Sequence, residues 1–330
     1  MNQSEFLQDL EAFLCEWHND EPTLWVHTSG STGTPKPLQV EKERMMASAR
    51  LTCSFLGLKE GDTALLCMPL QYIAGKMVVV RSLVAGLKLI PIAPTGHPLK
   101  KIDESPTFAA MIPMQVYNTL QVPEERKKLM NIKHLIIGGG AIDTSLAEAL
   151  KNFPNHVWST YGMTETLSHI ALRRLNGKEA SDWYTPFDSV RIRLSEEGTL
   201  IIHAPNVCAE ELTTNDIAEI NEEGKFRILG RKDNTINSGG VKIQIEQVEA
   251  CLREHLEIPF QITSAPDAKF GEIVVLLYNK VYDVENVRRI CQDALPTYWI
   301  PKRYIAVDEL PLTGTGKPDR ATARRIAKGE

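Results

Sequence analysis

Between Asp62 and Gly162 the chain alternates between short apolar runs and stretches patterned as helices. "DTALLCMPL" reads as a strand, "GKMVVVRSLVAG" as a buried helix and "LKLIPIA" as another strand. "TFAAMIP" and "KHLIIGGG" are strands, "DTSLAEALKNF" is a helix with Asp143 or Ser145 able to cap it, and "HVWSTYG" is a strand running into a turn. Strands that alternate with helices predict an α/β fold with a largely parallel sheet. From about Val190 the texture changes. "VRIRLSEEGTLIIHAP", "DIAEINEEGKFRILG" and "NTINSGGVKIQ" are short strands broken by glycine turns, and a mixed α+β stretch follows, with helices at "IEQVEACLREHL" and "VENVRRICQDAL". With 330 residues and a prior of about one domain per 150, two domains are expected. The predicted architecture is a large α/β domain with a β-rich subdomain, residues 1–232, and a small C-terminal α+β domain, residues 233–330. The charged turn "GRKDNT" marks the boundary.

Composition narrows the class of function. Apolar residues make up 43%, charged residues 24%, and the net charge is −5, which argues against a general nucleic-acid or anionic-membrane role, since either would want a basic surface. The most apolar segment, "MVVVRSLVAGLKLIPIAP", is interrupted by Arg81 and Lys88 and makes a poor membrane span. The six cysteines form no C-x-x-C pair, and no histidine cluster has zinc spacing. They read as buried reduced thiols, and with no secretory leader at the start a cytoplasmic protein is expected. Phe6, Leu10, Phe13, Leu14 and Trp17 fall at helical spacing and predict one amphipathic helix packed on the body.

Chemistry concentrates in a few stretches. The apolar "TLWV" reads as a short buried strand that enters "HTSGSTGTPKPL". There Gly30 and Gly33 let the backbone turn and aim N–H groups inward, Thr28, Ser29, Ser31, Thr32 and Thr34 add hydroxyl donors, and Lys36 adds a positive charge. The set suits a polyphosphate but does not match G-x-x-x-x-G-K-[ST]. In "YGMTET", Tyr161 offers a face for a purine, Thr164 a donor to a phosphate oxygen, and Glu165 either a hard ligand for Mg²⁺ or a helix-start carboxylate. "GGGA" at Gly138–Ala141 lacks the third glycine of G-x-G-x-x-G. Lys76 and Arg81 stand on an apolar helix, where a cation either extends to solvent or faces a pocket.

"TSGSTGTPK", "YGMTET", "GRKDNTINSGGVKIQIEQVE" and "PLTGTGKPDR" occur in the order found in the adenylate-forming superfamily of acyl- and aryl-CoA ligases, luciferases and peptide-synthetase adenylation domains, which the chain resembles along nearly its whole length. The resemblance implies the adenylate-forming enzyme fold, here N-terminally truncated. Family members carry a much longer stretch before the phosphate loop, which begins here at Thr28. The amphipathic helix, or a second subunit in a homo-oligomer, would then cover the exposed sheet. The implied substrates and cofactors are ATP, Mg²⁺, CoA and a small carboxylic acid. The loop from Thr28 to Lys36, Gly138, Gly139, Gly140, Tyr161, Gly162 and Met163 would bind the nucleotide. Thr164 and Glu165 would serve the phosphates and the metal.

"TTND" at Thr213–Asp216 resembles the family's Thr-Gly-Asp, with Asn215 in place of glycine. Asp216 and Arg231 would hold the ribose. Asp233 would be the hinge, Ser238, Gly239 and Gly240 would line the CoA channel, and Lys317 would bridge carboxylate and α-phosphate during adenylation. "PLQYIAGKM" and "YGMTETLSHIALRRLNG" are most similar to o-succinylbenzoate–CoA ligases of menaquinone biosynthesis, although Gln71 and Tyr72 stand where the family carries an aromatic residue followed by histidine. That substrate is an aromatic dicarboxylate, and Tyr72, Lys76, Arg81, Ser168 and His169 are the residues placed to receive it. A ligase for another aryl or fatty acid, an enzyme loading a carrier protein, and a non-catalytic nucleotide-binding protein are the competing readings.

Overall fold

A computed structural model describes residues 1–27, 37–140, 142, 144–313 and 318–330. The chain divides into two compact units. One comprises Met1–Arg193, Ile201–Leu212 and Ile220–Phe226; the other comprises Leu194–Leu200, Thr213–Glu219 and Arg227–Glu330.

The first unit opens with helix α1 (Gln3–His18). Its start is fixed by reciprocal bonds: Glu5 N–H donates to Asn2 Oδ1, and Asn2 N–H donates to Glu5 Oε2, both at 2.9 Å. Phe6, Leu10 and Phe13 face inward, as their spacing predicts. Strands β1 (Thr23–His27) and β2 (Pro37–Glu41) form a two-stranded antiparallel ribbon, with Thr23 opposite Glu41 and His27 opposite Pro37. "TLWV" is therefore a strand but a half-buried one. The pleat turns Leu24 and Val26 inward and leaves Trp25 55% exposed.

Helix α2 (Lys42–Leu56) leads to β3 (Thr63–Leu66), α3 (Ile73–Ala85), β4 (Lys88–Pro91) and β5 (Phe108–Met111). Then come α4 (Pro113–Leu120), α5 (Pro123–Asn131), β6 (His134–Ile137), α6 (Thr144–Leu150), β7 (His156–Gly162), β8 (His169–Arg174) and β9 (Thr185–Pro186). These strands build a seven-stranded sheet in the order β4-β3-β5-β6-β7-β8-β9. The first five are parallel, β8 runs antiparallel to β7, and β9 antiparallel to β8. Parallel strands covered on both faces carry unbroken apolar runs, which explains "ALL", "FAAM" and "LII". Leu65, Ala109, Met111, Leu135, Ile137 and Val157 of the sheet pack with Leu129 of α5 and Leu150 of α6. Helices α2 and α3 pack against each other.

Strands β10 (Arg191–Leu194), β11 (Thr199–His203), β12 (Leu212–Ile220) and β13 (Phe226–Arg231) follow as a four-stranded sheet in sequential order. The last stretch holds β14 (Thr235–Ser238), β15 (Val241–Gln244), α7 (Ile245–Arg253), β16 (Phe260–Asp267), β17 (Gly271–Asn279), α8 (Val284–Ala294), β18 (Arg303–Val307) and α9 (Arg320–Lys328). Its sheet runs β15-β14-β17-β16, with β18 parallel to β17. Val248 and Leu252 of α7 and Val287 and Cys291 of α8 cover one cluster of strand residues, and Ala323 and Ala327 of α9 pack on another. Among the described residues no helix is long and apolar enough to cross a membrane, and all six cysteines are unpaired; Cys53, Cys67 and Cys291 are buried, Cys208 and Cys251 are half-buried, and Cys15, on the outer side of α1, is exposed against expectation.

Candidate active site

The carboxyl ends of parallel strands are where an open α/β sheet binds ligands. Two of the glycine-bearing stretches meet there. Gly138 follows β6, and its N–H donates to Met111 O at the end of β5 (3.1 Å). A Cβ on Gly138 would lie 2.3 Å from Thr160 Oγ1 on β7, so the two strand ends approach as closely as they do only because this residue lacks a side chain. Gly139 and Gly140 continue toward Ile112 and Pro113. Tyr161 ends β7 with its ring edge-on to Phe226, 5.0 Å between centroids, and that ring stacks on Tyr184.

The chain reverses after Gly162, where a Cβ would sit 2.2 Å from Ser168 O. Thr166 Oγ1 staples the turn, accepting from Met163 N–H (3.0 Å) and donating to Ser168 O (2.7 Å). Within it Thr164 is buried and Glu165 is exposed. Leu167 is the one described residue other than glycine with positive φ, at 64°. That backbone state costs a side-chain-bearing residue roughly 1–2 kcal/mol. It delivers Ser168 and His169 to the buried face of α3.

There they meet Arg81, which is 2% exposed. The guanidinium does not reach for solvent. Arg81 Nη2 donates to Ser168 Oγ at 2.5 Å, Ser168 Oγ lies 3.2 Å from His169 Nδ1, and His169 Nε2 lies 3.1 Å from Thr52 Oγ1 on α2. Arg81 Nε is buried with no hydrogen-bond partner, and among the described residues no carboxylate lies within ion-pair distance of Arg81. Burial in this apolar helix pulls the Arg81 pKa down to about 10. Burial, and then the neighbouring Arg81 charge, hold His169 well below the usual imidazole value, so the ring is neutral at pH 7.

Lys76 lies elsewhere: its Nζ pairs with Glu16 of α1 at 3.2 Å and sits 4.7 Å from the Phe13 ring centroid. Tyr72 caps α3 and forms a parallel bridge with His27, so the end of β1 lies beside it. Thr52 carries no signal of chemistry in the sequence. One cue is that Thr52 falls at helical spacing with Met45, Ala49 and Leu56 on the inward face of α2, although Ser48 shares that face.

In the second unit Arg231 joins two acids. Its Nη1 lies 3.0 Å from Asp216 Oδ1 and its Nη2 2.9 Å from Asp233 Oδ2. Asn215 Nδ2 also donates to Asp233 (3.1 Å), a contact that a glycine there could not make. Ser238 is buried opposite Val241, and Gly239 and Gly240, with φ of 59° and 85°, form the two-residue hairpin turn between them. Thr28, Ser29, Gly30, Ser31, Thr32, Gly33, Thr34, Lys36 and Lys317 lie outside the described residues. The flanks of Lys317 are anchored. Leu312 bridges Pro318, and Arg320 grips the buried Glu249 with both nitrogens, at 2.5 and 2.8 Å. Among the described residues no three His, Cys, Asp or Glu side chains cluster as a metal cage. A single carboxylate such as Glu165, completed by phosphate oxygens and water, is the donor set Mg²⁺ favours.

The chain belongs to the AMP-binding enzyme family, whose pattern it matches over residues 4–207. It is 26% identical to a 2-succinylbenzoate–CoA ligase of Listeria monocytogenes, with 92% of this chain and 70% of that protein covered. It is 28% identical to the 2-succinylbenzoate–CoA ligase of a Geobacillus species, with 91% and 68% covered. Among solved structures it resembles an acyl-CoA synthetase (AMP-forming)/AMP-acid ligase II-like protein of Dyadobacter fermentans, at 33% identity and a TM-score of 0.66, covering 96% of this chain and 93% of that one. The fold is shared with o-succinylbenzoate coenzyme A synthetase of Bacillus subtilis, solved with ATP and magnesium (TM-score 0.75, 23% identity, 90% and 68% covered).

Proposed function

We propose that this chain is an AMP-forming acid–CoA ligase whose acid is 2-succinylbenzoate, the step the named relatives perform. The observation that carries the choice of acid is Arg81. A fully buried guanidinium with no acid partner among the described residues is costly, by several kcal/mol for an unpaired ion, unless an anion from outside completes it. A dicarboxylate supplies that anion with the carboxylate that does not react. A fatty acid would want an apolar tunnel instead.

In the first half-reaction one carboxylate oxygen of the acid attacks the α-phosphorus of ATP, and pyrophosphate leaves. In the second a CoA thiol displaces AMP and forms the thioester. Mg²⁺, when bound at Glu165, would neutralise phosphate charge. Tyr161 gives the purine a flat neighbour, and Gly138, Gly139, Gly140, Gly162 and Met163 keep the backbone close. Thr164 donates to phosphate, and Asp216 and Arg231 serve the ribose hydroxyls. The loop Thr28–Lys36, Lys317 as the cation offsetting repulsion between the two reacting anions, Asp233 as the hinge of a mobile domain 233–330, and Ser238–Gly240 as the thiol channel belong to the same reading. ATP and CoA as substrates suit a cytoplasmic location.

The test is an acid panel. The purified protein is given ATP, Mg²⁺ and CoA with 2-succinylbenzoate, benzoate or a fatty acid, and AMP and CoA thioester are measured. The expected result is turnover with 2-succinylbenzoate far above both controls. Equal turnover with benzoate would reject the acid, and no AMP with any acid would reject the ligase reading.

A further inference from the structure

Arg81 is held by a chain of three polar side chains, Ser168, His169 and Thr52, whose far end lies on helix α2. Thr52 is 0% exposed and lies one turn after Ser48 on α2. Its hydroxyl reaches Ser48 O at 3.3 Å, so that proton is committed to the helix backbone and Oγ1 is left to accept. The nearest donor is His169 Nε2, at 3.1 Å. That bond puts the imidazole proton on Nε2 and leaves Nδ1 as an acceptor for the Ser168 hydroxyl. Ser168 Oγ, having donated its only proton, presents lone pairs to Arg81 Nη2. Each hydrogen is used once. The reverse order would set Ser168 Oγ as acceptor for both His169 and Arg81 and leave its own proton without an acceptor among these groups.

We infer that Thr52 is a positioning residue: through His169 and Ser168 it fixes the rotamer of Arg81, with Nε–H left to meet the second carboxylate of the acid. This rests on the reading of Arg81 given above. Several features of the fold serve the relay. Leu167 accepts a strained backbone immediately before Ser168 and His169. Gly162 lets the Ser168 carbonyl come within 2.2 Å of where a Cβ would be. Arg81 has four rotatable side-chain bonds, and a guanidinium free to swing would lose the aligned geometry that makes a carboxylate pair strong. Among the described residues Thr52 bonds Ser48 O and His169 but not Arg81, so its hold on the guanidinium runs through the ring and the serine.

The experiment compares 2-succinylbenzoate with its analogue lacking the carboxylate that is not activated, reading kcat and KM for each in wild type, Thr52→Val and Thr52→Ser. Valine keeps the volume and removes the hydroxyl; serine keeps the hydroxyl. The expected result is that Thr52→Val lowers the diacid-to-monoacid ratio of kcat/KM about tenfold, chiefly through KM for the diacid, and that Thr52→Ser restores it. A role in packing alone would weaken both acids equally, and that outcome, or an unchanged ratio in Thr52→Val, overturns the inference. If Thr52→Val does not fold, His169→Asn, which is too short to reach Thr52, reads the same ratio with the same two outcomes. A wild type that does not prefer the diacid would overturn the reading of Arg81 itself, and this inference with it.

Discussion

A guanidinium belongs in water, and the residue that says most about this molecule is one that is kept out of it. Arg81 stands among Val78, Val79 and Val80 on α3, where its neighbours are as buried as it is. Ser168, which it bonds, and His169 and Thr52 behind that serine are neutral, so among these groups none offsets the positive charge. The same burial sets a pH dependence. His169 and His134 are both buried, and their pKa values are pulled down, His134 to about 4, first by desolvation. In the unfolded chain each would take up a proton below about pH 6.5. Their contribution is therefore complete above about pH 6.5 and is lost as pH falls below it, for His134 down to about 4. Each group should remove about 1.4 kcal/mol of unfolding free energy per pH unit in that window. Urea titrations at several pH values check this. His134→Leu should reduce the slope by one group's share, and an unchanged slope would show that His134 titrates normally in the fold.

At the scale of elements, the sequence predicts the strands of the parallel sheet well because each is an apolar run buried on both faces. Helices α4, α5 and α9 and strands β2, β8 and β9 are not predicted by the sequence pattern, for different reasons. Helices α4 and α5 are short and each begins with proline at its first turn, which punctuates the pattern like a loop. Helix α9 buries only Ala323 and Ala327, so its apolar stripe is made of small residues among arginines. Strand β2 has a partner, β1, that lies across the polar loop, and pairing is invisible in a single segment. The Glu249–Arg320 pair was also out of reach of the sequence, because it joins α7 to the first residue of α9. Glu249 is nearly fully buried, and removing it strands Arg320 in the fold. Glu249→Leu should cost about 3 kcal/mol, read by chemical denaturation. A cost below about 0.5 kcal/mol, the level of an ordinary surface substitution, would show that the pair is not what anchors the start of α9.

For the whole molecule, the family and the fold were legible because four motifs keep their order, and two stretches pointed to o-succinylbenzoate without saying which side chain would meet its second carboxylate. Order along a chain says which chemistry a sequence is built for. It does not say whether a cation on an apolar helix snorkels or turns inward, since both leave the same letters. What decided it was tertiary: a turn from β7 to β8, a leucine in a left-handed backbone state, and a helix α2 that brings Thr52 across. Lys76, equally apolar in setting, went to Glu16 instead. Arg81 is the residue on which the proposed choice of acid rests. The most direct measurement is the diacid-to-monoacid ratio of kcat/KM in Arg81→Met, with 2-succinylbenzoate and the analogue lacking its unreacted carboxylate. Arg81→Met is expected to fold at least as stably as wild type, since a buried unpaired charge is gone, and to lose the diacid preference by about 10–100-fold. A variant that folds and keeps the wild-type preference would contradict the account.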